Sequence, residues 1–421
     1  MTVQKYNSKL SGTLLQVFPS ILEERDNRLY LDIDWLEAIE LYLEYFEKVI
    51  FACPISDGNS KDPTNCRAID DLPKKWAHNL EVVPLPSAHK LPAFWRYFSG
   101  TRKKLRHYIK SAQYLEFSPS CLIGDWAGVS CFEAMQLKRP YVISGDVVYH
   151  ERMEFLLQDK PALKHYVKKG VSIPIFKKYY KQILRNSSLA LFQGQDVYNE
   201  YSPFCSNSNL IYHATITLED RISKSQLERQ IDYLKLGRPL KVVYAGRATA
   251  IKGPLDWVRA LGKAIDQGVP IHATWLGDGP LLEEAKKVSQ DLGIEAYVDF
   301  AGFTGNKESV FKILNGADIF LFCHKSRESP RCLIEAIATG CALIGYEGEY
   351  QRGLVKTHGG ALFVPIGDWM ALGNALIQIN ADRDRLAKLI YDAHTSGSFF
   401  DKENAYRQRI DMVINYYRDL T

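Results

Sequence analysis

The chain has 421 residues, enough for two or three domains at the usual ~100–200 residues each. Apolar residues make up 46% and charged residues 24%, a globular balance that excludes a disordered chain and a small secreted scaffold. Lys and Arg total 53 against 49 Asp and Glu, and the resulting +4 is too small for the whole surface to hold nucleic acid.

Apolar runs are short. The stretch 317–323 (ADIFLFC) falls far below the ~18 residues that cross a bilayer, so no integral membrane protein is expected. The first thirty residues carry Lys5, Lys9, Glu23, Glu24 and Arg25 and no apolar core, so no secretory leader is expected either. The eight cysteines show no CxxC pair, which argues against structural zinc and fits buried thiols in a reducing cytosol.

In chain order, the first half alternates candidate strands with amphipathic helices. Strands are expected at 14–18, 49–52, 80–83, 141–144, 189–192 and 210–212, and helices at 34–47, 94–111, 130–137 and 177–184. The polar stretch 214–238, ending Gly237-Arg238-Pro239, reads as the boundary. The second half is more regular. Strand 240–245 is followed by helix 254–265, strand 271–276, helix 281–292, strand 297–300 and helix 307–314. Strand 318–322, helix 331–338, strand 342–346, strand 361–364 and helix 369–379 complete the series. Such alternation means parallel sheets with helices on both faces, hence two doubly wound α/β domains. The expected division is 1–215, a linker 216–238, a second domain 239–400, and a C-terminal helix 401–421 that can cross back to the first domain.

Ligands in such sheets bind beyond the carboxyl ends of the strands, so the residues following each strand carry the interest. After strand 240–245 comes Gly246-Arg247-Ala248-Thr249-Ala250-Ile251-Lys252-Gly253-Pro254. The two glycines allow tight backbone, Pro254 starts a helix, and Arg247 and Lys252 flank that helix's N-terminus. A guanidinium and an ammonium there suit a diphosphate; two solvated cations on a surface loop are the plain alternative. After strand 318–322 comes Cys323-His324-Lys325-Ser326-Arg327-Glu328-Ser329-Pro330-Arg331-Cys332-Leu333-Ile334-Glu335. Glu335 lies between apolar neighbours on a helix, either on its wet face or holding ribose hydroxyls, and Glu328 can accept from a second polyol. Backbone N–H groups of Arg331 and Cys332 would face whatever lies between. Gly279, in Gly277-Asp278-Gly279-Pro280, and Phe303, placed to meet a base, sit on two further strand-end loops. No GxGxxG and no P-loop occur, which argues against an oxidoreductase and a P-loop ATPase.

Taken in order, GRxxxxKG, WLGDGP, GF, ADIFLF, ESPRCLIEAIATG and GGALFVPIGD resemble the donor-binding domain of family-4 retaining glycosyltransferases, the glycosyl transferases group 1, over roughly residues 240–395. The resemblance implies the GT-B architecture, two Rossmann-like domains facing a cleft. It implies a transferase moving sugar from a nucleotide-sugar donor to a glycan or lipid-linked acceptor in cell-surface polysaccharide or glycolipid synthesis, with no metal or other cofactor. By that resemblance Arg247 and Lys252 contact the diphosphate, Glu335 the ribose and Glu328 the transferred sugar, with Gly246, Gly253, Ser329 and Leu333 completing the donor site. The family keeps seven residues between its two glutamates; here six lie between Glu328 and Glu335, and Arg327 stands one position earlier. Gly145-Asp146 replaces the family's first-domain histidine, leaving Asp146 as the candidate for polarising an acceptor hydroxyl. Asp125, after another strand end, is read in the same way, with a helix cap as the alternative.

Two first-domain segments are basic and rich in aromatics: 94–110, with Arg102, Lys103, Lys104 and Arg106, and 164–185, from Lys164 to Arg185. Basic aromatic helices can lie on an anionic membrane, so these four cations are expected to hold a cytoplasmic protein peripherally at the inner face; solvated helix faces are the alternative. Two functional alternatives stay open: a sugar-nucleotide epimerase on the same layout, and a catalytically weak sugar-nucleotide-binding partner.

Overall fold

The computed structural model describes residues 10–56, 66–76, 78–155, 157 and 168–419. The chain divides into two units, one running to Ile211 and resuming at Tyr406, the other Tyr212–Ala405.

The first unit is built on seven parallel strands. Their spatial order is Ser208–Ile211, Leu189–Gln193, Val142–Gly145, Tyr114–Phe117, Leu10–Val17, Phe46–Pro54 and Leu80–Leu85. Helices Leu91–Ser111, Trp126–Gln136 and Ile173–Asn186 cover one face; Ile33–Tyr45 and Lys402–Arg418 cover the other. Leu91–Ser111 shows how little of a helix needs to be apolar. Pro92 suits its first turn, and Thr101, Leu105 and Ile109, four residues apart, form its buried line.

Strand Tyr114–Phe117 escapes the sequence pattern because Glu116 interrupts it. That carboxylate is fully buried. It accepts from Arg409 Nη2 at 2.7 Å, Gln16 Nε2 at 2.8 Å and Ser144 Oγ at 2.9 Å. Burial alone would push the Glu116 carboxyl up, but the Arg409 guanidinium and these hydrogen bonds outweigh it and hold it below the usual range. The C-terminal helix is thereby pinned to the first unit's sheet, and Ile410, Val413, Ile414 and Tyr417 pack into that core.

A small antiparallel sheet, Glu23–Arg25, Arg28–Asp32 and Cys66–Ala68, is an addition the periodicity did not suggest.

The second unit has six parallel strands in the order Val298–Gly302, Ile271–Leu276, Leu240–Ala245, Ile319–Phe322, Ala342–Tyr346 and Ala361–Val364. Strand order reverses between Leu240–Ala245 and Ile319–Phe322, which are neighbours, and that switch point is where such sheets take ligands. Residues 216–238, expected as a linker, are instead part of this unit. They contain helix Lys224–Lys235, opened by a Ser223–Gln226 capping box. Only Leu227 and Leu234 are buried on it, so its composition looks like linker although it is packed. Arg238 then forks Asp318, buried at the start of a central strand, at 2.7 and 2.6 Å. Among the described residues no helix is long and apolar enough to cross a membrane.

Candidate functional site

Four strand ends of the second unit are stitched by backbone hydrogen bonds along the carboxyl edge of the sheet. Gly277 N–H donates to Gly302 O at 2.8 Å, and Gly246 N–H to Leu276 O at 2.8 Å. Ala248 N–H donates to Asp278 O at 2.9 Å, and Lys325 N–H to Ile251 O at 2.8 Å. Two glycines allow this approach. Gly253 has φ +63°, and a Cβ there would lie 2.5 Å from Cys323 O. A Cβ on Gly279 would meet Ala248 O at 2.6 Å. Gly246 and Gly279 thus shape one continuous backbone edge, ending at helix Pro254–Asp266, whose N-terminus follows Gly253.

The charged side chains sort into three states. Arg247 is exposed, and its side chain makes no hydrogen bond or ion pair among the described residues. Lys252 and Glu328 are joined Nζ to Oε1, their side chains only 19% and 17% exposed. Lys325 is committed to the buried Asp256 at 2.7 Å, and Tyr346 Oη donates to the same carboxylate oxygen at 2.8 Å. The predicted pair of diphosphate cations therefore consists of one open guanidinium and one ammonium already engaged. Glu328 lies on the loop that enters helix Arg331–Ala338, where sequence placed it.

That helix begins at Pro330, and its first-turn N–H groups, including those of Arg331 and Cys332, lie outside the helical ladder. Ser329 is half-buried beside them. Burial pushes the Cys332 thiol up to about 12, so it stays protonated. Leu333 is fully buried in the core, so its side chain is not available to a ligand and only its backbone could serve. Glu335 is half-buried and accepts from Thr215 Oγ1 at 2.8 Å. It is therefore tied into the unit rather than waving on a wet helix face. Phe303, 53% exposed after strand Val298–Gly302, presents an open ring on the neighbouring loop.

Sequence reasoning missed three contributors. Thr215 was hidden in the polar boundary stretch 214–238, as the last residue of the expected first domain. His324 and Tyr244 form a buried pair behind the Gly246 loop, Tyr244 Oη to His324 Nε2 at 2.9 Å. Burial, and secondarily the Lys252 ammonium, keep His324 well below its ordinary pKa and so neutral. The signal for His324 was its place directly after a strand.

In the first unit, Asp146 is exposed at the end of strand Val142–Gly145 and accepts from Tyr149 Oη at 3.0 Å. Asp125 caps helix Trp126–Gln136 through Gly128 N–H at 3.1 Å and also accepts from Tyr179 Oη at 3.3 Å. Burial raises its carboxyl to about 6, backbone donors notwithstanding. The four cations expected as a membrane face do not form an open cluster. Arg102 and Arg106 both bind Glu133, Arg106 at 2.6 Å, and Lys104 Nζ donates to Pro84 O at 3.3 Å. The buried Glu133 carboxylate on the neighbouring helix draws the two arginines inward, while Lys103 and Lys104 remain exposed. Lys164, in the second basic segment, lies outside the described residues. Among those residues, His150, Glu151 and Glu200 bring possible metal-ligating atoms within 4.8 Å of one another.

Residues 227–395 match the family described as Glycosyl transferases group 1. This segment is a glycosyl transferases group 1 domain. The chain shares 25% identity over 167 residues with the lipopolysaccharide core biosynthesis glycosyltransferase LpsE of Rhizobium meliloti, covering 39% of this chain and 47% of that protein. It shares 25% over 185 residues with the amylovoran biosynthesis glycosyltransferase AmsK of Erwinia amylovora, covering 42% and 45%. The chain thus spans about half the length of the curated relatives it matches. Over 96% of its length it is similar in fold to Anabaena HepE, solved in complex with UDP, at TM-score 0.65 and 15% identity, with all of that chain covered. Sucrose-phosphate synthase from Thermosynechococcus elongatus also scores 0.65 at 16% identity, covering 97% of this chain and 99% of that one. The matched segment holds all the second-unit residues of the candidate site described above except Thr215, which lies just ahead of it.

Proposed function

We propose that this protein is a retaining glycosyltransferase that moves a sugar from a nucleotide diphosphate donor to a glycan or lipid-linked acceptor in cell-surface polysaccharide or glycolipid synthesis. The observation that carries this reading is the placement of Arg247, Lys252 and Glu328 on loops, and of Glu335 on the helix that follows, at the switch point of the group 1 domain. Arg247 and Lys252 would bind the diphosphate and stabilise the negative charge that grows on it as the glycosidic bond breaks. The first-turn N–H groups of helix Arg331–Ala338 would add dipole stabilisation without reorganising. Glu335 would accept from the ribose diol, Glu328 would meet the transferred sugar, and Phe303 would lie against the base. Asp146 would orient the acceptor hydroxyl, and no divalent cation would be required.

A peripheral membrane role would fall to a different part of helix Leu91–Ser111 than the four cations named from sequence. Leu91 and Trp95 are 50% and 66% exposed, with Arg96, Tyr97 and Lys103 exposed beside them and no acid on the helix. Apolar side chains flanked by cations suit an anionic lipid interface. The activity test is release of nucleoside diphosphate from a panel of UDP-, GDP- and ADP-sugars, with EDTA present. Arg247→Ala and Lys252→Ala are expected to lower it about 10²–10³-fold each, the scale for one preorganised electrostatic donor. Near-native turnover in both variants would remove the diphosphate assignment.

A further inference from the structure

We infer that Thr215 is a positioning residue that sets Glu335 for recognition of the donor's ribose, an inference that rests on the proposed role of Glu335. Thr215 lies on a segment held on several sides. Ala214 and Ile216 on either side of it are fully buried in the second unit's core. Ile216 O accepts from Lys402 N–H at 2.9 Å, and Thr215 O accepts from Lys307 Nζ at 3.1 Å. Lys307 is in turn anchored to Asp220 Oδ2 at 2.7 Å, and the same oxygen takes the Thr217 N–H and hydroxyl at 2.8 and 2.9 Å. The backbone of Thr215 is therefore fixed before any ligand arrives. Its hydroxyl donates to Glu335 Oε1 at 2.8 Å.

A carboxylate has two oxygens and about four lone-pair sites. A donor fixed in space restricts rotation of the carboxylate plane and so sets the direction in which its oxygens point. A ribose diol needs two acceptors in register, so it gains from a carboxylate whose rotation is already restricted. Lys307 opens helix Lys307–Leu314 just after the loop carrying Phe303, so the same network ties the ribose contact to the base side of the site. The hydroxyl of residue 215 thus tunes discrimination of ribose from deoxyribose without touching the nucleotide.

The test uses the full chain and calorimetry with whichever of UDP, GDP and ADP the wild type binds most tightly, together with its 2′-deoxy analogue. Thr215→Val keeps the shape and removes the donor; it is expected to weaken the ribonucleotide about tenfold and to narrow the ribo-to-deoxyribo ratio. Thr215→Ser keeps the hydroxyl and should restore both within about twofold. Unchanged affinity in Glu335→Gln would overturn the ribose role itself, and the inference with it. Weakened binding in Glu335→Gln with wild-type behaviour in Thr215→Val would overturn the inference alone. Equal losses for ribo- and deoxyribonucleotide, or no rescue by Thr215→Ser, would also overturn it. If Thr215→Val does not fold, Thr215→Ala against Thr215→Ser decides the same question.

Discussion

Glu328→Gln is expected to raise affinity for free nucleoside diphosphate while lowering turnover. In the structure Glu328 holds the Lys252 ammonium, so a diphosphate has to displace that carboxylate to use the cation. With side chains 19% and 17% exposed, the pair lies between the weak surface class and the fully buried one. A hydrogen bond to a charged group contributes about 1.5–3 kcal/mol. The amide still offers an acceptor, so roughly 1 kcal/mol of that hold is lost, equivalent to about fivefold tighter UDP binding. Turnover falls because an amide is a weaker acceptor for a sugar hydroxyl. Calorimetry with UDP and steady-state release of diphosphate from the nucleotide sugar measure the two effects separately. A double-mutant cycle adds a control: in the Lys252→Ala background, Glu328→Gln should no longer change UDP affinity. Unchanged or weaker UDP binding in Glu328→Gln would refute the competition between carboxylate and diphosphate.

Glu116→Gln is expected to cost about 3–5 kcal/mol at pH 7, because it leaves the Arg409 guanidinium buried without its counterion; urea unfolding reads the loss. The Glu116 carboxyl lies lower folded than unfolded, so its contribution is present above the ordinary carboxylate value, about 4.3, and is lost as pH falls through the folded value. The variant should accordingly lose part of the wild type's acid sensitivity. Trp95→Ser with Lys103→Glu should reduce flotation with vesicles containing anionic phosphatidylserine and leave diphosphate release unchanged. Arg102 and Arg106 are unsuitable for that test, since changing them strips the cations from Glu133.

Much of the second unit was legible because its strands are buried on both faces and read as plain apolar runs. Ile319–Phe322 and Ala342–Tyr346 have no exposed residue to blur the pattern. The loops of the candidate site were legible for a related reason. Glycine, proline and charge clustered immediately after those strands, where a parallel sheet has its binding edge. Local order in the chain was enough to place Arg247, Lys252 and Glu328 on loops after strands and Glu335 on the helix that the last of them enters. What it could not supply was pairing. Glu116 looks like an interruption until Arg409, 293 residues away, neutralises it, and only then does Tyr114–Phe117 become a central strand. Arg102 and Arg106 look like an open basic face until Glu133 on the next helix claims both. Thr215 looks like the tail of the first domain until Glu335, 120 residues later, accepts its hydroxyl. Strand and helix patterns arise from neighbours along the chain, and so they can be read along it. The state of a charge depends on what folding brings within about 3 Å, and that distance exists only in three dimensions.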